Sequence, residues 1–97
     1  MSGFILTSTA KSHLRRFKRY YEAQRPGKGN RFLDEAWQRI QRILLHPYAV
    51  RVVEGKVRKA KIPGFKNDLY YFVKGDEIVI FAVMHQRQHP DSWKKSL

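Results

Sequence analysis

The sequence has no cysteine, which excludes a disulfide framework, a thiol nucleophile and a thiolate cluster for structural zinc. Acidic residues are scarce, 8 Asp and Glu against 20 Lys and Arg. They are too few and too scattered for paired-carboxylate catalysis, so a glycosidase reading falls away. Six glycines form no phosphate-cradling loop, and no Walker-type Gly-Lys-Ser/Thr run occurs, which removes kinases and nucleotide hydrolases. Long hydrophobic runs are missing too. The longest, Tyr70 to Val73 and Ile78 to Met84, fall far short of the roughly 20 residues that span a bilayer. Met1 to Ala10 lacks the basic flank of a signal peptide, so no membrane partner and a cytoplasmic location are expected.

What is present is positive charge. The 97 residues carry a net charge of +12, which attracts polyanions: nucleic acid, ribosomes, anionic lipid or an acidic protein. Residues 1–97 have room for one domain and one core. The strongest breaks are Arg25-Pro26-Gly27-Lys28-Gly29, His46-Pro47, Pro63-Gly64 and Gly75-Asp76. A short apolar stretch, Phe4 to Leu6, precedes Thr7, Ser8 and Thr9, whose hydroxyls suit a helix N-cap. Ala10, Leu14, Phe17 and Tyr21 then fall on one helical face, with Lys11, Arg15, Arg16, Lys18 and Arg19 around the rest. Beyond the Pro-Gly break, Asn30 is the expected cap of a second helix. Its stripe is Leu33, Ala36, Trp37, Ile40, Ile43 and Leu44, and Pro47 stops it near His46. Val57 to Ile62, Leu69 to Lys74 and Glu77 to Met84 read as strands, the last two joined by a tight hairpin at Gly75-Asp76. The expected fold is α+β: a short strand and an antiparallel helical hairpin packed on a twisted antiparallel sheet, in the order β-α-α-β-β-β. Both faces of the central strands are apolar. The face away from the helices is therefore expected to be a partner or ligand surface.

Chemistry concentrates where the last strand ends, at His85-Gln86-Arg87-Gln88-His89-Pro90-Asp91-Ser92-Trp93. Period-two alternation sets Arg58 with Ala60 and Ile62, sets Lys59 with Val57 and Lys61, and groups His85 with Phe81 and Val83. A metal-independent ribonuclease needs a base, a donor for the leaving oxygen and cations for the phosphate. His85, Arg87 and His89 are the residues that offer them. His85 and His89 lack a third and fourth ligand for zinc, so no metal and no cofactor are expected. The basic run Arg15, Arg16, Lys18 and Arg19 fits phosphates, an acidic segment or a solvated helix face equally. Tyr20, Tyr70, Tyr71 and Phe72 read as core aromatics rather than a base-stacking platform, and Trp93 as a pin for the tail.

Three segments carry a family likeness: Arg31-Phe32-Leu33-Asp34-Glu35-Ala36, Leu69 to Val73 with Gly75 to Val79, and Ala82-Val83-Met84-His85-Gln86-Arg87-Gln88-His89-Pro90. With them the chain resembles the ParE and RelE toxin superfamily of bacterial type II toxin-antitoxin systems, in the branch of plasmid stabilisation proteins. That resemblance implies growth inhibition held in check by a cognate acidic antitoxin, in a homodimer or a toxin-antitoxin hetero-oligomer. ParE-like members poison DNA gyrase, whereas RelE-like members cut mRNA in the ribosomal A site, often with a C-terminal Tyr or His. The absence of any Tyr after Tyr71, the long helical hairpin and the closing His-x-x-x-His-Pro pattern look ParE-like. On this reading Arg58, His85, Arg87 and His89 meet the target, and Arg15, Arg16 and Arg19 meet the antitoxin. The alternative is a ribosome-dependent endoribonuclease using Lys61, His85 and Arg87, and +12 alone fits a nucleic-acid-binding module. The segment Pro63 to Asp68 departs from the family's usual sequence.

Overall fold

The computed structural model describes residues 3–97, so the first two residues of the expected 1–97 unit lie outside the described part. Helix α1, Ser8–Gln24, starts at the expected cap: the Thr7 side chain accepts from the backbone N–H of Ala10 at 3.1 Å. Ala10, Leu14, Phe17 and Tyr21 are its buried residues, as their spacing predicts. Helix α2, Lys28–Leu45, differs from expectation at its start. Asn30 lies exposed inside the helix, and the N-cap position is Gly27 at φ 87°, a left-handed conformation that glycine adopts without strain. The missing cap comes from the preceding helix, because the Glu22 carboxylate accepts from the N–H groups of Gly27 and Gly29, both at 3.0 Å. A Cβ on Gly29 would stand 2.6 Å from the Lys18 carbonyl oxygen, so glycine here sets how closely α1 and α2 approach. The buried stripe of α2 is rotated towards Phe32, with Ala36, Ile40 and Ile43, and leaves Trp37 42% exposed.

Five strands form one mixed sheet in the order β1-β5-β4-β3-β2: β1 Gly3–Leu6, β2 Val52–Glu54, β3 Val57–Lys61, β4 Asn67–Lys74 and β5 Glu77–His85. The expected helices and three long strands are all present. Two features refine the antiparallel sheet. The three-residue β2 adds an edge beside β3, and β1 lies parallel to β5 because the helical hairpin and the β2–β5 meander together form the long crossover a parallel pair requires.

A bulge redirects β5. Tyr70 pairs with Ala82 but Tyr71 with Ile80, leaving Phe81 as an extra residue. Ile78, Ile80 and Val83 enter the core beneath the helices, whereas Phe81, Ala82 and Met84 join Val57, Tyr70 and Trp93 on the opposite face. His85 therefore shares a face with Val83 and not with Phe81, and its ring stacks 6.4 Å from that of Phe17. The chain ends in a 3₁₀ helix, Ser92–Ser96, whose Trp93 stacks on Tyr70 at 5.9 Å, the tail pin expected from the sequence. Among the described residues, no helix is long and apolar enough to cross a membrane.

Candidate functional site

Because β1 stops beside Ile80, the remainder of β5 exposes a strand edge towards α1. Side chains close it. The Val83 N–H donates to His13 Nδ1 at 3.0 Å, and the His85 N–H donates to Gln88 Oε1 at 2.7 Å. Acceptance at Nδ1 requires an unprotonated nitrogen, and burial, together with the Arg16 charge, lowers the His13 pKa and keeps that ring neutral. The turn after β5 repeats the device twice. Arg87 donates its N–H to His85 Nδ1 at 3.0 Å, and Asp91 donates to His89 Nδ1 at 3.1 Å. A ring that accepts at Nδ1 carries its proton on Nε2, which leaves a donor free on each imidazole. Burial, then Arg87 and Lys66, lower the His85 pKa, with Asp68 opposing them.

On the sheet face away from the helices, β4, β3 and the tail enclose a cleft of about 830 Å³. Arg51, Lys59, Lys61, Asp68, His85 and His89 line its polar part, and Tyr70 and Trp93 its apolar part. Asp68 is paired with Lys61 in the β3–β4 register. Burial raises its carboxyl pKa, against the pull of Lys59, Lys61, Arg51 and His85. The Lys61 ammonium donates to the Phe65 carbonyl at 2.7 Å. Lys94 ties the tail to β2 through Glu54 at 3.1 Å and also meets Asp91 at 3.7 Å. Among the described residues, no group of three or more His, Asp or Glu side chains is arranged to hold a metal ion.

The residues expected to meet a target are thus divided. His89 and Lys61 line the cleft, and His85 borders both it and a groove beside α1. Arg87 is absent from the cleft and lines that groove with Arg16, Phe17 and Tyr20, and an adjoining hollow with Lys28 and Lys66. Arg58 lies two strands from β5, on the helix side of the sheet, where Nη1 donates to the Val50 carbonyl at 2.6 Å and the guanidinium sits 5.1 Å from the Tyr48 ring centre. Arg15, Arg16 and Arg19 form an exposed basic ridge along α1. Arg51 and Asp68 are contributors that sequence reasoning missed, and Tyr20, read from the sequence as a core aromatic, instead faces outward at 48% exposure. The strand register opposite Lys61 is the signal that finds Asp68. Tyr20 follows from lying one residue before Tyr21 on the helix.

A family model described as the ParE toxin of the type II toxin-antitoxin system, parDE, matches residues 4–90. No curated protein matches the chain. Eleven chains of solved structures do. One, from the "Chromosomal ParDE TA system from P. aeruginosa", superposes with a TM-score of 0.78 at 19% sequence identity, covering 88% of this chain and 96% of that one. At that identity the likeness speaks for the fold.

Proposed function

We infer that this chain, which belongs to the ParE toxin family of type II toxin-antitoxin systems, arrests growth by binding DNA gyrase, without bond-making chemistry of its own, and is neutralised by a cognate acidic antitoxin. Membership implies an antitoxin partner. The family match runs from β1 to Pro90 and so takes in the whole end of β5. The observation that carries the binding reading is the pair of backbone hydrogen bonds to the two imidazoles. With Nδ1 of His85 and of His89 accepting backbone N–H groups, neither ring has a free lone pair to take a proton from a ribose hydroxyl. Lys61 is a cation spent on a carbonyl, and Arg87 lines the groove beside α1 rather than the cleft that Lys61 lines. The two imidazoles thus turn donors rather than free lone pairs to a bound molecule, which suits holding a partner rather than activating a nucleophile.

The experiment is inducible expression of the chain, following pre-existing transcripts and the DNA-damage response together. Gyrase-linked breaks with intact transcripts are expected. Rapid transcript cleavage overturns the reading in favour of the endoribonuclease. The antitoxin half is tested by co-purification with the product of the adjacent gene over a salt series. The complex should survive physiological salt, because the +12 charge speeds encounter while an apolar core holds the pair.

A further inference from the structure

We propose that the groove between α1 and the end of β5 binds a single-stranded nucleic acid segment, seating one unstacked base on Tyr20 and its flanking phosphates on Arg16, Lys66 and Arg87. This goes beyond the gyrase reading and does not rest on it.

Two adjoining hollows of about 270 and 260 Å³ share Tyr20, His85 and Arg87. Phe17 gives the first an aromatic floor, with the Arg16 guanidinium 5.5 Å from its ring centre and the His85 ring stacked beside it. Lys66 and Lys28 border the second. No carboxylate lines either hollow, whereas Glu54, Asp68 and Asp91 all line the cleft across the sheet. Among the described residues, no carboxylate pairs with Arg16, Lys66 or Arg87, since the ion pairs formed there belong to Lys94. An exposed aromatic face ringed by unneutralised cations is what an unpaired nucleotide needs: the Tyr20 ring, 48% exposed, stacks on its base and the cations release its counterions.

An acidic peptide fits less well. A peptide in extended form binds by adding to a strand edge, and the β5 edge here is already closed by His13 and Gln88. A helical one needs a long continuous groove for anchors at successive turns, and two short hollows do not supply it.

The test measures binding of the intact chain to labelled oligothymidylate, oligouridylate and a duplex of equal length across a salt series. Three phosphate contacts predict a log–log salt slope of about −2, at about 0.7 per contact for single strands. Tyr20→Ala should weaken binding about tenfold or more with its melting temperature kept. Arg87→Ala should take about 0.7 from the slope, and Lys74→Ala, far off at the β4–β5 hairpin, should change neither. Affinity for either or both oligonucleotides that depends on Tyr20 supports the proposal, and any preference between them names the sugar. Duplex bound as tightly as single strand, or Tyr20→Ala bound as tightly as the unaltered chain, reduces the effect to attraction by net charge and overturns it. So does displacement of the oligonucleotide by an equal concentration of an acidic peptide. Growth arrest with gyrase-linked breaks but no oligonucleotide binding overturns this proposal alone.

Discussion

The two faces of the sheet are built from the same strands and do opposite work. Under the helices, Leu69, Tyr71, Ile78, Ile80 and Val83 meet Phe17, Tyr21, Phe32, Ile40 and Ile43 in a continuous core. On the other face, Val57, Tyr70, Phe81, Ala82 and Met84 are covered largely by Trp93, which belongs to a five-residue 3₁₀ helix. One face therefore holds most of the apolar burial, and the other leaves room for a cleft edged with charge. Strand alternation lets a small chain keep stability and recognition apart without a second domain, because neighbouring residues serve different faces.

Substitutions should expose that division. The largest effect is expected for Phe32→Ala beneath the helices, about 3–5 kcal/mol in a denaturant melt. Gly29→Ala should cost about 1–3 kcal/mol, because its methyl meets the Lys18 carbonyl and pushes α1 from α2. Trp93→Ala, though it removes a larger ring, should cost only about 1–2 kcal/mol, because the tail can detach without opening the core. Hydrogen exchange should show protection lost after His85 and kept in β4. A Trp93→Ala melt that falls as far as that of Phe32→Ala would erase the contrast between the faces.

Titration gives a gentler probe of the edge where the faces meet. His13 is held below its ordinary pKa of 6.5, so the unfolded chain binds the proton more tightly than the folded one. The stability it contributes is therefore complete above pH 6.5 and is lost as pH falls towards the lowered folded value. His85 acts in the same direction. Melts between pH 5 and 7.5 should show stability rising with pH, with a smaller rise in His13→Gln. The smallest effect on folding belongs to Arg87→Ala, within about 0.5 kcal/mol because the side chain is exposed. Growth arrest by that variant is expected to be lost while antitoxin binding is kept, which separates recognition from stability at one residue.

Much of this was legible in the sequence. The α1 stripe, the Thr7 cap, the three long strands and the β4–β5 hairpin all follow from local spacing and turn chemistry, and the parity of β3 places Arg58 and Lys61 on opposite faces. What could not be read depends on partners distant in sequence or on too few residues. Val52–Glu54 is too short to show a period. The cap of α2 comes from Glu22 in the helix before it, so Asn30, the best local candidate, was the wrong residue. The bulge at Phe81 arises in pairing with β4 and separates His85 from Phe81, which local alternation had grouped with it, while keeping it with Val83.

The parallel pairing of β1 with β5 also governs when the protein takes shape. Those two strands meet across 74 residues of chain, among the most distant contacts available to it. The helical hairpin can form early on the ribosome, but its apolar face has no completed sheet to cover until Glu77–Ile80 has been synthesised. The elongating polypeptide thus carries an unfinished core for nearly its whole synthesis; the groove beside α1 must wait for His85 and Arg87, and the cleft on the other face for Trp93.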